Sequence, residues 1–232
     1  MRMEAFADAE AVAKTAAAFI AEEARKAVAA HGRFVLAVSG GKTPWIMFRA
    51  LAEEALPWEQ IHVVQVDERV APAGHADRNL THLGETLVGL AGLGPEQIHA
   101  MPVEAPDLEA AAARFEESLR EIAGTPPVLD LAHLGLGSDG HTASLVPGDP
   151  VLKVADRDVA ITQVYQGRRR MTLTYPILNR SRKIMWVITG AEKASMLKRL
   201  FDGDTSIPAG RIRREAALIL ADRAAARDVS LK

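Results

Sequence analysis

Apolar positions in this chain fall into two alternating kinds of run, and their spacing predicts a layered protein of helices and strands. Between Asp8 and Ala30, the residues Val12, Ala16, Phe19, Ile20, Ala24 and Ala27 recur on one helical face, the mark of a long amphipathic helix that Gly32 closes. Phe34 to Val38 is apolar throughout, as in a strand buried on both faces. Ser39-Gly40-Gly41-Lys42-Thr43-Pro44 then turns into a helix reaching about Ala55, with Pro44 in its first turn. The alternation continues with a strand from Ile61 to Val66 that ends in Asp67-Glu68-Arg69, and a helix from Leu80 to about Leu90 that Asn79 is placed to cap. A weak strand follows from Ile98 to Met101, then a helix from Asp107 to Ile122 with Ala111, Phe115, Leu119 and Ile122 inward. After the Thr125-Pro126-Pro127 break, Leu129 to Leu136 reads as a central strand interrupted only by Asp130 and His133.

Beyond Pro150 the pattern is mixed. Strands are expected over Val159 to Val164, Arg170 to Thr174, Ile184 to Thr189 and Ala216 to Leu220. Pro176 to Asn179 reads as a helical turn, Gly190-Ala191-Glu192-Lys193 opens a helix to about Phe201, and Asp222 starts a terminal helix. No repeat, low-complexity linker or shift in composition marks a boundary. The expectation is one α/β domain over residues 1–232, a Rossmann-like three-layer sandwich with a mostly parallel central sheet flanked by helices.

Composition narrows what such a domain does. A formal net charge of −2 provides no basic footprint for nucleic acid. Cysteine is absent, which removes disulfides, thiolate metal sites and thiol nucleophiles and fits a reducing compartment. No apolar run approaches membrane-spanning length, and the N-terminal segment carries Glu4, Asp8, Glu10, Glu22 and Glu23, unlike a targeting peptide. A cytoplasmic protein without nucleic-acid or membrane partners is expected, as a monomer or weak homodimer.

The candidate chemistry lies at strand ends. Three glycines, Gly135, Gly137 and Gly140, end the central strand and let the loop to Gly148 present Asp139 and His141 at a C-terminal sheet edge, where open α/β sheets bind ligands. A tight turn with an incidental histidine is the bland alternative, and the carboxylate two residues before the imidazole argues against it. These glycines also match the dinucleotide fingerprint literally, but Pro147-Gly148-Asp149-Pro150 arrives before the long helix that motif needs. Gly41-Lys42-Thr43 resembles the end of a phosphate-binding P-loop, yet Leu36 stands where its first glycine belongs. Ser39 sits as in a nucleophile elbow, a serious rival, against which stand the single strand expected upstream and the lack of an oxyanion loop. A phosphate cradle accounts for the same residues more simply. Gly40 and Gly41 expose N–H groups, the helix contributes its positive end, and Ser39 and Thr43 add hydroxyls. The seven histidines are scattered, so no metal site is expected; His31, His62, His99 and His133 read as surface or strand residues, and His75 and His82 as solvated.

Taken together, five motifs resemble the 6-phosphogluconolactonase family, within the superfamily that includes glucosamine-6-phosphate deaminase. They are Ser39 to Pro44, Asp67-Glu68-Arg69 with Asn79, Gly135 to Gly148, Arg170 to Thr174, and Gly190-Ala191-Glu192-Lys193-Ala194. Deaminases have an aromatic residue where Arg69 stands and a glutamate where Val146 stands, and a valine cannot partner the ring-opening histidine. Val146 in place of the lactonase aromatic, and Arg78 where serine is frequent, are departures that remove no group the chemistry needs.

The resemblance implies hydrolysis of a sugar-phosphate lactone without metal or other cofactor. His141 would be the general base, since an imidazole has an unperturbed pKa near ~6.5. Asp139 or Asp67 would orient the imidazole or the water, and Arg69 would balance charge. Ser39, Gly40, Gly41, Lys42, Thr43, Lys193 and Arg170 would hold the 6-phosphate. A glucosamine-6-phosphate deaminase or isomerase, and a non-catalytic sugar-phosphate sensor, are the alternatives.

Overall fold

Strand, helix and strand follow one another so regularly that neighbouring strands of the main sheet must be joined by crossovers, and all of them are parallel. In the computed structural model, which describes residues 1–230, the chain opens with β1 (Arg2–Phe6), α1 (Ala9–His31), β2 (Phe34–Val38) and α2 (Lys42–Ala52). It continues with β3 (Ile61–Gln65), β4 (Asp67–Arg69), α3 (Asn79–Leu83), a π-turn (Gly84–Val88), α4 (Gly89–Ala91), β5 (Ile98–His99), α5 (Leu108–Ala123) and β6 (Leu131–Leu134). The last part comprises β7 (Val159–Ile161), β8 (Arg170–Leu173), α6 (Tyr175–Arg180), β9 (Lys183–Ile188), α7 (Ala194–Asp202), β10 (Ala217–Asp222) and α8 (Arg223–Ala226). The main sheet has the order β1-β10-β9-β6-β2-β3-β5. A second, antiparallel sheet has the order β4-β8-β7.

Side-chain alternation in the sheet separates two apolar layers. Phe34, Leu36 and Val38 of β2 and Met185 and Val187 of β9 face Val12, Ala16 and Ile20 of α1 and Met47, Phe48 and Leu51 of α2. The intervening Val35, Ala37, Ile184 and Trp186 face the opposite way, toward Phe115 and Leu119 of α5 and Leu197 of α7. Burial on both faces is why β2 and β9 read as continuous apolar runs. The helix ends obey local rules. Asp8 accepts the Ala11 N–H at 2.9 Å, Asp107 that of Ala110 at 3.0 Å, and Gly32 closes α1 in the left-handed region.

Several boundaries differ from the sequence pattern. β1 was invisible because only Met3 of its five residues is buried and the strand lies at the sheet edge, paired on one side with β10. α2 stops at Ala52, since Pro57 lies ahead and Glu53 closes a tighter turn on Ala50. The helix expected to about Leu90 is broken by the π-turn at Gly84. β6 and β7 are shorter than their apolar runs, and β10 extends to Asp222. Asn79 does not cap α3. Glu68, fully buried on the neighbouring strand, accepts the N–H groups of Asn79 (2.9 Å) and Leu80 (2.8 Å) instead. Among the described residues no helix is long and apolar enough to cross a membrane.

Candidate active site

The C-terminal ends of β2, β3, β6 and β9 all deliver loops to one edge of the main sheet, and the small sheet folds β4 and β8 over the same edge. Between them lies a cavity of about 160 Å³ lined by Ser39, Asp67, Arg69, His141, Arg170 and Lys193, with Asn79, Leu136, Ala143 and three glycines completing the wall. Clefts of about 520 and 530 Å³ elsewhere on the surface gather no comparable set of polar groups.

The loop after β6 makes the acid–base pair. Nδ1 of His141 lies 2.6 Å from Oδ1 of Asp139, and the same oxygen accepts the His141 backbone N–H at 3.1 Å. Gly137 is required beneath them, because a Cβ there would run into the imidazole and the carboxylate. Partial burial works against the charge of Asp139, but the N–H and ring of His141 and the hydroxyl of Tyr165 outweigh it and hold the carboxyl below its ordinary value. An ionised Asp139 accepts a proton-bearing Nδ1, which leaves the lone pair of His141 on Nε2.

Asp67 lies deeper and is held otherwise. Its Oδ2 accepts the Ser144 hydroxyl at 2.5 Å and lies 3.9 Å from Nη1 of Arg170. The Asn79 amide donates to its backbone carbonyl at 3.1 Å and, more weakly, to Oδ1 at 3.4 Å. Asn79 presses so closely on Gly40 that a Cβ at residue 40 would collide with it, which ties the loop after β2 to β4. The buried Glu68 next door explains the rest of the triplet. It receives N–H bonds from Arg69 and the start of α3, a hydrogen bond from Gln65 and an ion pair from Arg78, and so fixes the backbone that carries Asp67 and Arg69. Arg78, the departure from the family pattern, is therefore internal to this support rather than part of the cavity.

The opposite wall is cationic and rich in donors. Among the described residues, the N–H groups of Gly40, Gly41, Lys42 and Thr43 donate to no other protein group, and α2 starts on Gly41 without a side-chain cap. Lys193, on a short 3-10 turn after β9, pairs with no carboxylate among the described residues. Arg170, only 5% exposed, donates to Gln166 at 3.1 Å and lies over the Tyr165 ring at 5.0 Å, while its Nε has no partner. Burial, and to a lesser extent the neighbouring Arg69, lowers its pKa, and Asp67 opposes the shift. Nε of Arg69 is likewise buried and unpartnered.

Of the sequence candidates, Ser39, Gly40, Asp67, Arg69, His141, Arg170 and Lys193 line the cavity and Asp139 adjoins it through His141, whereas Gly41, Lys42 and Thr43 line none of its wall. Lys42 is exposed on the first turn of α2, leaving its backbone N–H as its contribution. Thr43 turns its hydroxyl to Thr189, 2.6 Å away. The elbow reading of Ser39 also changes. Two strands, not one, precede Ser39, yet its Oγ donates to the carbonyl of His133 at 3.0 Å and no imidazole accepts its proton. His133 is fully buried and accepts the Ser39 N–H on Nδ1; burial lowers its pKa to about 3, so it is neutral. His75 and His82 are not free in solvent either: His75 contacts Arg168 and His82 stacks on Trp45. The sequence reading missed Ser144 and Tyr165. A polar residue retained inside the otherwise apolar Ala143 to Val146 stretch was the available signal for the first, and none marked the second. Among the described residues no three His, Asp or Glu side chains converge as metal ligands.

Known proteins share both pattern and fold. The family described as glucosamine-6-phosphate isomerases/6-phosphogluconolactonase matches residues 7–220. A 6-phosphogluconolactonase from Synechocystis is 40% identical over 180 residues, 76% of this chain and 75% of its own. The crystal structure of 6-phosphogluconolactonase from Thermotoga maritima aligns with a TM-score of 0.84 at 27% identity, covering 95% of this chain and 98% of its own. A monomeric glucosamine-6-phosphate deaminase aligns equally well, with a TM-score of 0.85 over 98% of this chain and 100% of its own, but at 20% identity it shares the fold alone. The backbone therefore does not separate the two chemistries, and the side chains must.

Proposed function

The chain belongs to the glucosamine-6-phosphate isomerase/6-phosphogluconolactonase family, and on that premise we propose that it hydrolyses 6-phospho-D-glucono-1,5-lactone to 6-phospho-D-gluconate, in the oxidative pentose phosphate pathway. The observation that carries this reading is the His141–Asp139 pair, 2.6 Å apart, at the rim of a cavity whose other wall is cationic. Asp139 holds the imidazole with Nε2 available. Nε2 takes a proton from water as the water oxygen bonds to C1 of the lactone, and the C1 carbonyl oxygen becomes an oxyanion. Arg69, whose Nη1 is anchored on the Asp77 carbonyl, faces that charge. When the C1–ring oxygen bond breaks, the imidazolium returns its proton to the leaving oxygen, and the product carboxylic acid ionises in water. A δ-lactone is already an activated ester, so this sequence needs neither metal nor covalent intermediate.

The 6-phosphate lies on the amide groups of Gly40 to Thr43 with Lys193 and Arg170 supplying positive charge. Contacts so far from C1 align the ester for attack. Val146 argues against the deaminase alternative: it is buried and apolar at the position where the deaminases carry a glutamate. The sensor alternative requires no acid–base pair, and the pair is present. The test is stopped-flow hydrolysis of 6-phosphogluconolactone against its spontaneous rate, alongside glucosamine 6-phosphate. Lactone hydrolysis well above background without ammonia release is expected; ammonia from glucosamine 6-phosphate, or no acceleration of the lactone, overturns the reading.

A further inference from the structure

The hairpin between β7 and β8 has a tip that the motifs do not include. Tyr165 and Arg168 pair across it, and Gln166 and Gly167 occupy the left-handed region, with φ of 51° and 81°, as a two-residue hairpin turn requires. Contacts from this tip to Asp139 and Arg170 place it beside the cavity. From it the Tyr165 hydroxyl donates to Oδ2 of Asp139 at 3.0 Å. The Tyr165 ring meets the His141 ring edge-on, centroids 5.6 Å apart at 69°, and its face lies under the Arg170 guanidinium. Each oxygen of Asp139 is thereby assigned: Oδ1 to the N–H and ring of His141, Oδ2 to Tyr165. Without the second bond the carboxylate is free to rotate about its χ2, a soft torsion, and to carry the imidazole with it.

We infer that Tyr165 is a positioning residue of the lactonase site, which locks the Asp139 carboxylate in the plane that aims Nε2 of His141. The inference rests on the lactonase reading for its kinetic consequence and on geometry for its structural one. The charged groups that face this cluster are Arg170 from β8, Asp67 and Arg69 from β4, and Lys193 across the cavity. Burial first, and then the hydrogen bond to Asp139 and its charge, push the Tyr165 hydroxyl above the ordinary phenol value, so it remains a donor through the neutral range. Gln166 Nε2 donates to the Tyr165 oxygen at 3.3 Å, leaving the phenolic proton for Asp139.

Tyr165→Phe removes this bond and retains the ring. In the variant kcat should fall ~3–10-fold, the range of one lost hydrogen bond, with KM within about twofold and the melting temperature unchanged. The acid limb of the kcat/KM profile should move to higher pH, because a carboxylate that has lost the Tyr165 donor holds the imidazole proton more tightly. The carboxyl carbon resonance of Asp139, followed by NMR through an acid titration, should move in the same direction, a readout independent of turnover. A raised KM with unchanged kcat and profile would make Tyr165 a substrate contact and overturn the inference. Superimposable Asp139 titrations would overturn it too, whatever the enzyme hydrolyses. A titration that moves in a protein with no lactonase activity would instead keep the hydrogen bond and refute the reaction.

Discussion

Two carboxylates serve the same cavity, Asp67 from its wall and Asp139 through His141, and they are held in opposite ways. Asp67 is almost fully buried and surrounded by Ser144, Asn79 and Arg170, so each of its acceptor positions faces a donor from a different part of the chain. Asp139 is more exposed and holds mainly its own loop's imidazole. The contrast divides labour between residues that look interchangeable in sequence. A carboxylate tied to a base two residues away modulates that base. One tied to three separate segments organises the backbone that bears Arg69, Arg170 and the loop after β2. We assign Asp139 to the proton transfer and Asp67 to the architecture of the site, with the charge of Asp67 also steadying Arg170.

The sharpest test of the Asp139 side is His141→Asn, which keeps the loop compact while removing the base. It should lower kcat by ~10²–10⁴-fold, with the spontaneous rate subtracted. A variant with near-normal kcat and only a weakened KM would move catalysis elsewhere. The two carboxylates separate next. Asp139→Asn should lower kcat ~10–10²-fold, orientation being lost while the base remains, with little change in melting temperature. Asp67→Asn should chiefly lower thermal stability, because buried Arg170 loses its counter-charge. Equal kinetic losses with equal melting temperatures would erase the distinction.

His133 anchors the loop after β2 through Ser39, and its pKa makes a pH prediction. Its folded value of about 3 lies below the ~6.5 of an unfolded chain. Its contribution is whole above the unfolded value and is lost as pH falls toward the folded one, because the unfolded chain takes a proton that the folded protein refuses. Urea unfolding at pH 7 and 4.5 should differ by ~2–3 kcal/mol more in the wild type than in His133→Gln. Identical pH dependences would refute the buried neutral histidine. The smallest effect concerns the phosphate wall. Lys193→Ala should raise KM about 10-fold and change kcat less than about threefold, since contact with a remote phosphate is made equally before and during reaction. A collapsed kcat at unchanged KM would place Lys193 at the reacting centre.

Most of this site was legible because its chemistry sits beside glycines. Gly137 marks where Asp139 and His141 pack, and Gly40 marks where Asn79 closes on the loop, so backbone punctuation pointed to the functional loops. What escaped notice lies far apart in the chain. Ser144 reaches Asp67 across 77 residues and Tyr165 reaches Asp139 across 26, and no local period encodes such contacts. Glu68 was read as part of a motif, whereas its role as a cap for α3 depends on where the two elements meet in space. The main sheet was legible for the opposite reason, since burial on both faces leaves long apolar runs. β1 lacked that signal as a one-sided edge strand.

The register of the small sheet sets Arg69 directly opposite Arg170. Like charges facing each other across a strand pair are destabilising, and both guanidiniums have an unpartnered buried Nε. The fold thus carries an electrostatic load that a dianion would relieve if the cleft takes a phosphate as proposed. Part of the affinity for a phosphorylated sugar is then release of repulsion already present, and an uncharged sugar lactone of the same shape gains none of it. By the same linkage the melting point should climb with the concentration of any phosphate ester the cleft accepts, so a cell rich in such metabolites would keep this protein more stable than dilute buffer does.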